Sequence, residues 1–195
     1  LASAAPAPGG GGGAAMAGAL AAALASMVAN LTIGKEKFAE CEPEVKELLK
    51  QAEAERVRLL TLVDEDAAVF NSFMSCYKLP KTTDEEKAAR TAAIRAAAKQ
   101  AATVPLNIAR SSFAVLKLAD RLVVSGNPGV ITDGACSGLL ARAALRCAEY
   151  NVRINLGLTK DEVWNAQAAA DLKQLLADAE ALETRLLAVT DKALQ

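Results

Sequence analysis

An all-α, up-and-down bundle of about five long helices is the fold class this sequence predicts, on three observations. Alanine, leucine, glutamate and lysine dominate the 195 residues, and all four favour helix. Aromatic residues make up 4% against 52% hydrophobic residues, a balance that suits helices better than sheets. Apolar residues recur in steps of three and four over long runs separated by short turns, as helices packed in a bundle require. At this length residues 1–195 form one domain with a sizeable core.

The first helix is expected over Ala14 to Ile33. Residues 1–8 read as a flexible lead-in and Gly9 to Gly13 as a loop, where Pro6, Pro8 and the glycines let the backbone approach a bound group closely. Unpaired N–H groups and the positive dipole end at the helix start make a seat for an anion. The helix itself is too rich in small residues to be amphipathic, so it reads as the central one. Gly34 and two lysines suit its C-terminus. The second helix runs from Pro43 to about Tyr77, with a seam of Val45, Leu49, Ala52, Arg56, Leu59, Val63, Asp66, Phe70, Phe73 and Tyr77. Pro80 breaks the chain, and Thr83 to Glu86 forms a capping box for a third helix from Asp84 to Ser125, which Pro105 should kink or divide. Gly126 to Gly129 is a turn. Thr132-Asp133 caps a fourth helix reaching Leu156, Gly157 ends it, and Thr159 to Glu162 is a capping box for a last helix to Leu194.

The formal net charge is −1 with both signs interspersed, so neither nucleic acid nor a membrane surface is expected as a partner. Asn30 and Ser26 interrupt the apolar first helix and no basic region precedes it, against a membrane span or a signal. Cys41, Cys76, Cys136 and Cys147 lack metal-cluster or disulfide spacing and read as reduced cytoplasmic thiols. Histidine is absent. Any acid or base is then Asp, Glu, Lys, Tyr or Cys, and no metal site is expected.

Asp66 is the leading catalytic candidate, because a carboxylate on a bundle seam is costly unless it is paired or chemically employed. A structural pairing with Arg or Lys is the competing account. Lys35 serves either the helix dipole or chemistry, and Asp133 either an N-cap or a site. Asn151 and Asn155 are four apart and share one helix face, where their amides either meet a heterocycle or tie helix ends together.

These segments together resemble the formiminotransferase-cyclodeaminase and methenyltetrahydrofolate cyclohydrolase family. The matching stretches are Pro6 to Gly11, Ser26 to Lys35, Asp64 to Phe70, Leu79 to Lys81, Gly126 to Asp133 and Asn151 to Leu156. The resemblance implies a helical homodimer that binds folate near the glycines. It implies one of two reactions: hydrolysis of 5,10-methenyltetrahydrofolate to 10-formyltetrahydrofolate, or closure of 5-formiminotetrahydrofolate with loss of ammonia. Gly12 stands where members fused to a formiminotransferase usually carry Ser, and no formiminotransferase segment is present, so the hydrolysis is expected first. A catalytically silent folate-binding dimer is the remaining alternative.

Carried onto this chain, the resemblance implies Asp66 as base or electrostatic partner, Lys35 as proton donor or water-positioning group, and Asp133 as a pterin or proton-transfer residue. Pro8, Gly9, Gly10, Gly11, Gly12, Asn30, Lys78, Asn127 and Asn155 are the implied folate contacts, with Lys81 and Arg153 near the glutamate tail. The substrate is a tetrahydrofolate derivative, and no metal is implied.

Overall fold

The computed structural model describes residues 1–195 as five helices: α1 Gly10–Asn30, α2 Glu42–Cys76, α3 Asp84–Ser125, α4 Ile131–Thr159 and α5 Glu162–Ala193. Short 3-10 turns, Glu36–Phe38 and Pro128–Val130, lie in the connections. Consecutive helices alternate in direction, giving the expected up-and-down bundle. α1 packs on α2, α3 and α4, and α5 covers α3 and α4 from the other side.

Small residues set the position of α1. Ala15, Ala21, Ala22, Ala25 and Ala29 are fully buried, and a Cβ on Gly18 would stand 3.0 Å from Ser112 Oγ and 3.1 Å from Leu59 Cδ2. Backbones therefore approach closely, and the large side chains of the core come from the surrounding helices: Leu59, Ile108, Leu116, Leu145 and Leu186 are all inaccessible. The expectation that α1 packs on every side holds for only part of its circumference. Met16, Leu20, Met27 and Leu31 form an exposed apolar stripe, between 37% and 54% accessible.

Four boundaries differ from the sequence reading. The glycines expected in a loop begin α1 instead: Gly10 to Gly13 form its first turn. Glycine costs about 1 kcal/mol relative to alanine in a helix, but packing leaves little room for a side chain at Gly11 and Gly12. At Gly12 a Cβ would stand 3.0 Å from Pro8. α4 starts at Ile131 without a side-chain cap and continues through Gly157 to Thr159, and Lys160 makes the reversal at φ 57°. The α5 cap is Asp161, which accepts from Trp164 N at 3.0 Å, while the Thr159 hydroxyl is used on Asn165 Oδ1 at 2.6 Å. α3 runs undivided through Pro105. The capping box at Thr83 and Glu86 forms as expected.

Pairs between helices set the register. Asp120, 1% exposed, receives Arg185 Nε from α5 at 2.7 Å, and Arg110 meets Asp171 at 2.7 Å. At the C-terminal end of α1, Asn127 fastens the α3–α4 turn: its N–H donates to Thr32 Oγ1 at 2.9 Å, its Nδ2 donates to Leu31 O at 3.1 Å, and its Oδ1 accepts from Gly129 N at 3.0 Å.

Candidate active site

The N-terminal end of α1 meets α2, α3 and α4 at a cleft of about 370 Å³, a size suited to a small organic ligand. Val69, Phe70 and Phe73 of α2 supply an apolar wall, Asn151 and Asn155 of α4 supply amides, and Gly9 to Gly11 with Asp66 close the inner end. Pro6 and Ala7 of the lead-in lie along its rim.

Asp66 is where this site departs from an ordinary bundle. Its Oδ2 accepts the Gly12 N–H at 2.9 Å, so a side chain from α2 caps α1 across space. No cation pairs with it. A Cβ at Gly11 would overlap Asp66 Oδ1, which explains why glycine stands there: the carboxylate occupies the space. Asp66 is half-buried, and burial pushes its carboxyl above the usual range while the Gly12 N–H holds it back. Gly10 and Gly11 keep backbone N–H groups with no acceptor in the protein. The cleft thus offers a base-like carboxylate and free N–H donors side by side.

The amides are oriented by a proline. Pro105 has no N–H, so the Ala101 carbonyl one turn earlier loses its helical partner. Asn155 Nδ2 supplies it instead, donating to Ala101 O at 2.8 Å and also to Asn151 O at 2.9 Å. Both Asn155 amide protons are thereby committed, and Oδ1 is left as an acceptor. Asn151 Nδ2 donates to Cys147 O at 2.9 Å, which again frees Oδ1. Two acceptor oxygens on one helix face suit a heterocycle that presents N–H donors.

Asp66, Gly9, Gly10, Gly11 and Asn155 from the sequence reading come together here, with Pro8 behind Gly12. Phe70 and Phe73, read from the sequence as seam, are cleft wall as well. Lys78 is exposed beyond the end of α2 and does not line the cleft. Asn30, Lys35 and Asn127 lie at the other end of α1, roughly 30 Å away for its 21 residues. Asp133 stands roughly 27 Å along α4 from Asn151 at 1.5 Å per residue. Within one chain these four are not part of the Asp66 cleft, and the amide of Asn127 is already spent on Leu31 and Gly129. No group of three or more His, Cys, Asp or Glu side chains is arranged to hold a metal.

Known proteins match this architecture over nearly its whole length. The sequence model described as formiminotransferase-cyclodeaminase matches residues 1–174. A methenyltetrahydrofolate cyclohydrolase from Methylorubrum extorquens is 45% identical over 95% of this chain and 89% of its own length. The formimidoyltransferase-cyclodeaminase of Rattus norvegicus is 34% identical over 89% of this chain, which spans 32% of that longer protein. The crystal structure of formiminotetrahydrofolate cyclodeaminase from Thermotoga maritima superposes with a TM-score of 0.90 at 28% identity, covering 100% of this chain and 93% of that one. The chain belongs to the formiminotransferase-cyclodeaminase family.

Proposed function

We infer that this protein hydrolyses 5,10-methenyltetrahydrofolate to 10-formyltetrahydrofolate. The observation that carries the reading is Asp66, an unpaired, half-buried carboxylate facing the cleft of a chain 45% identical to a methenyltetrahydrofolate cyclohydrolase. The methenyl carbon is the centre of a cationic amidinium, so a carboxylate with no competing cation attracts it. The same carboxylate accepts a proton from the attacking water, and its raised pKa brings it nearer to the range of an effective base. Phe70 and Phe73 offer faces for the pterin. Asn151 Oδ1 and Asn155 Oδ1 accept from its N–H groups, and the free Gly10 and Gly11 N–H groups receive a folate oxygen.

The cyclodeaminase reaction uses the same carbon and is the second reading, favoured by the Thermotoga maritima relative. A paired assay separates the two. Loss of the methenyl near-ultraviolet band from 5,10-methenyltetrahydrofolate is the expected result; appearance of that band from 5-formiminotetrahydrofolate alone would replace it with the cyclodeaminase. A folded protein that accelerates neither reaction is a folate-binding module.

The exposed stripe on α1 further supports a homodimer, since a soluble helix rarely leaves Met16, Leu20, Met27 and Leu31 in water. Four free cysteines and evenly mixed charge accord with a cytoplasmic protein that has neither a membrane nor a nucleic-acid partner.

A further inference from the structure

From the Asp66 cleft a track leads outward between α2 and α3. Tyr77 follows Asp66 by eleven residues on α2, and Arg90 precedes Ala101 by eleven on α3. Eleven residues are about three turns, so each pair shares one helix face. Because α2 and α3 run antiparallel, both faces leave the cleft in the same direction, over roughly 16 Å at 1.5 Å per residue. The way is apolar. Phe73 of the cleft wall stands edge-on to Tyr77 with ring centroids 5.3 Å apart, and Ile94 of α3 is half-buried.

At the outer end of this track Arg90 is held in place without a counter-ion. Its Cζ lies 5.5 Å from the Tyr77 ring centroid, a cation stacked on an aromatic ring, and Nη2 donates to Tyr77 O at 3.3 Å. These contacts fix the side chain to the end of α2. No carboxylate pairs with it, and its Nε N–H has no acceptor. Glu86, the acid one turn earlier on the same helix, is committed to the capping box, where it accepts from Thr82 N at 2.7 Å and Thr83 N at 3.2 Å. A planar guanidinium oriented by a ring, with donors to spare and no anion, is preformed for a carboxylate. The other cations differ. Lys78 and Lys81 are exposed beyond the end of α2, and Arg153 pairs with Glu149 at 3.3 Å beside a separate groove that it shares with Leu172 and Lys173.

The geometry points to Arg90 as the receptor for a carboxylate of the folate's glutamate tail, with Phe73 and Tyr77 seating the p-aminobenzoyl ring between it and Asp66. The proposal rests on the folate reading of the cleft. With the one-carbon centre at Asp66, an aromatic ring and an amide separate that carbon from the glutamate, an extended unit of roughly 10 Å, or two turns of helix. The tail carboxylates then arrive beyond Phe73, where the Arg90 guanidinium covers Tyr77. The ligand carries a cation, a ring and an anion in that order, and the track carries a carboxylate, two aromatic rings and a guanidinium in the same order. The tail thereby falls to Arg90, a residue that the sequence reading passed over, in place of Lys81 and Arg153.

A ligand with an uncharged tail tests this. Tetrahydrofolate is compared by calorimetry with its bis-amide, in which both glutamate carboxylates are carboxamides and the length is unchanged. The wild type is expected to bind the bis-amide roughly 10-fold more weakly, the scale of one charge-assisted pair, and added salt should weaken tetrahydrofolate more than the bis-amide. Arg90→Gln is expected to bind the two ligands alike, and in turnover of 5,10-methenyltetrahydrofolate its loss should fall on KM more than on kcat. An Arg90 that only ties α3 to α2 would weaken both ligands equally and lower the melting temperature, which overturns the proposal. A second chain, Lys78→Gln with Lys81→Gln, is altered only in the exposed connection and needs no change to the Arg90 stack. It is expected to keep the discrimination; loss of discrimination there gives the tail to the lysines and overturns the proposal. The outcomes for the wild type are separable: equal binding of both ligands fells the tail subsite alone, whereas a folded protein that binds neither fells the folate reading and the subsite with it.

Discussion

The two ends of α1 are built from similar materials and left in opposite states. At the C-terminal end the polar groups of the turn are tied within their own chain: Thr32 Oγ1 donates to Val28 O at 2.8 Å and accepts from Asn127 N, the Asn127 amide is fully used, and Gly34 N donates to Glu42. At the N-terminal end the Gly10 and Gly11 N–H groups, the Asn151 and Asn155 oxygens and one Asp66 oxygen have none. The first arrangement closes the bundle and the second leaves room for a ligand. Both ends contain a glycine, an asparagine and an acid, so residue type alone does not tell a knot from a site.

Changes at the open end should alter catalysis and changes at the closed end should alter stability. The largest effect is expected from Asp66→Asn, which keeps an oxygen for the Gly12 N–H but cannot take a proton. Turnover should fall by roughly 10² to 10⁴ with melting temperature held. A variant as active as the wild type would remove Asp66 from the chemistry.

Gly11→Ala should follow closely, because the new methyl displaces the Asp66 carboxylate from the helix start. We expect kcat to fall by roughly 10-fold to 10²-fold with the fold intact, since a misplaced catalytic group loses rate steeply. An unchanged kcat would show that the carboxylate need not sit there.

At the closed end, Asn127→Ala should cost about 1–3 kcal/mol of stability by leaving the Leu31 carbonyl and the Gly129 N–H unpaired. Denaturant unfolding measures it, and kcat at a temperature well below the melting point should hold. A selective loss of turnover in a protein of unchanged stability would return Asn127 to the folate site.

Acidification should show the open end directly. Burial raises the folded-state pKa of Asp66, so kcat/KM should decline with falling pH before an ordinary exposed carboxylate would protonate, and Asp66→Asn should lack that limb. For stability the sign is opposite to that of a salt-bridged acid: a raised carboxyl pKa favours the folded state at low pH and is lost as pH rises through the folded value. Asp66→Asn should therefore gain stability relative to the wild type on passing from acid to neutral pH.

The smallest effect is expected from Pro105→Ala. An alanine N–H competes with Asn155 for the Ala101 carbonyl and frees the amide to turn. KM should rise several-fold while melting temperature holds or rises, since alanine is the better helix residue. An unaltered KM would detach Pro105 from the site.

Much of this architecture is legible in the sequence. Periodicity along α2 and α5 exposes their buried faces, and the break at Pro80 with the box at Thr83 and Glu86 marks the α2–α3 joint, because these signals are local. Asp66 stood out because a charge on an apolar seam is anomalous wherever its neighbours lie. The Gly10–Gly13 turn did not, since isolated glycine favours a loop and only packing against Pro8 and Asp66 makes it helical. The link from Pro105 to Asn155 was equally hidden: the freed carbonyl can be inferred from the sequence, but its acceptance of a side chain from another helix is a tertiary event. The sequence by itself determined the helices, the apolar faces and the anomalous carboxylate, all properties of neighbours along the chain. Tertiary structure decided which glycine yields its space to Asp66, and why Asn30, Lys35 and Asn127 lie a helix length from the cleft. Those outcomes depend on the antiparallel alternation of helices and on which polar groups already have partners, and neither is encoded within one turn of helix.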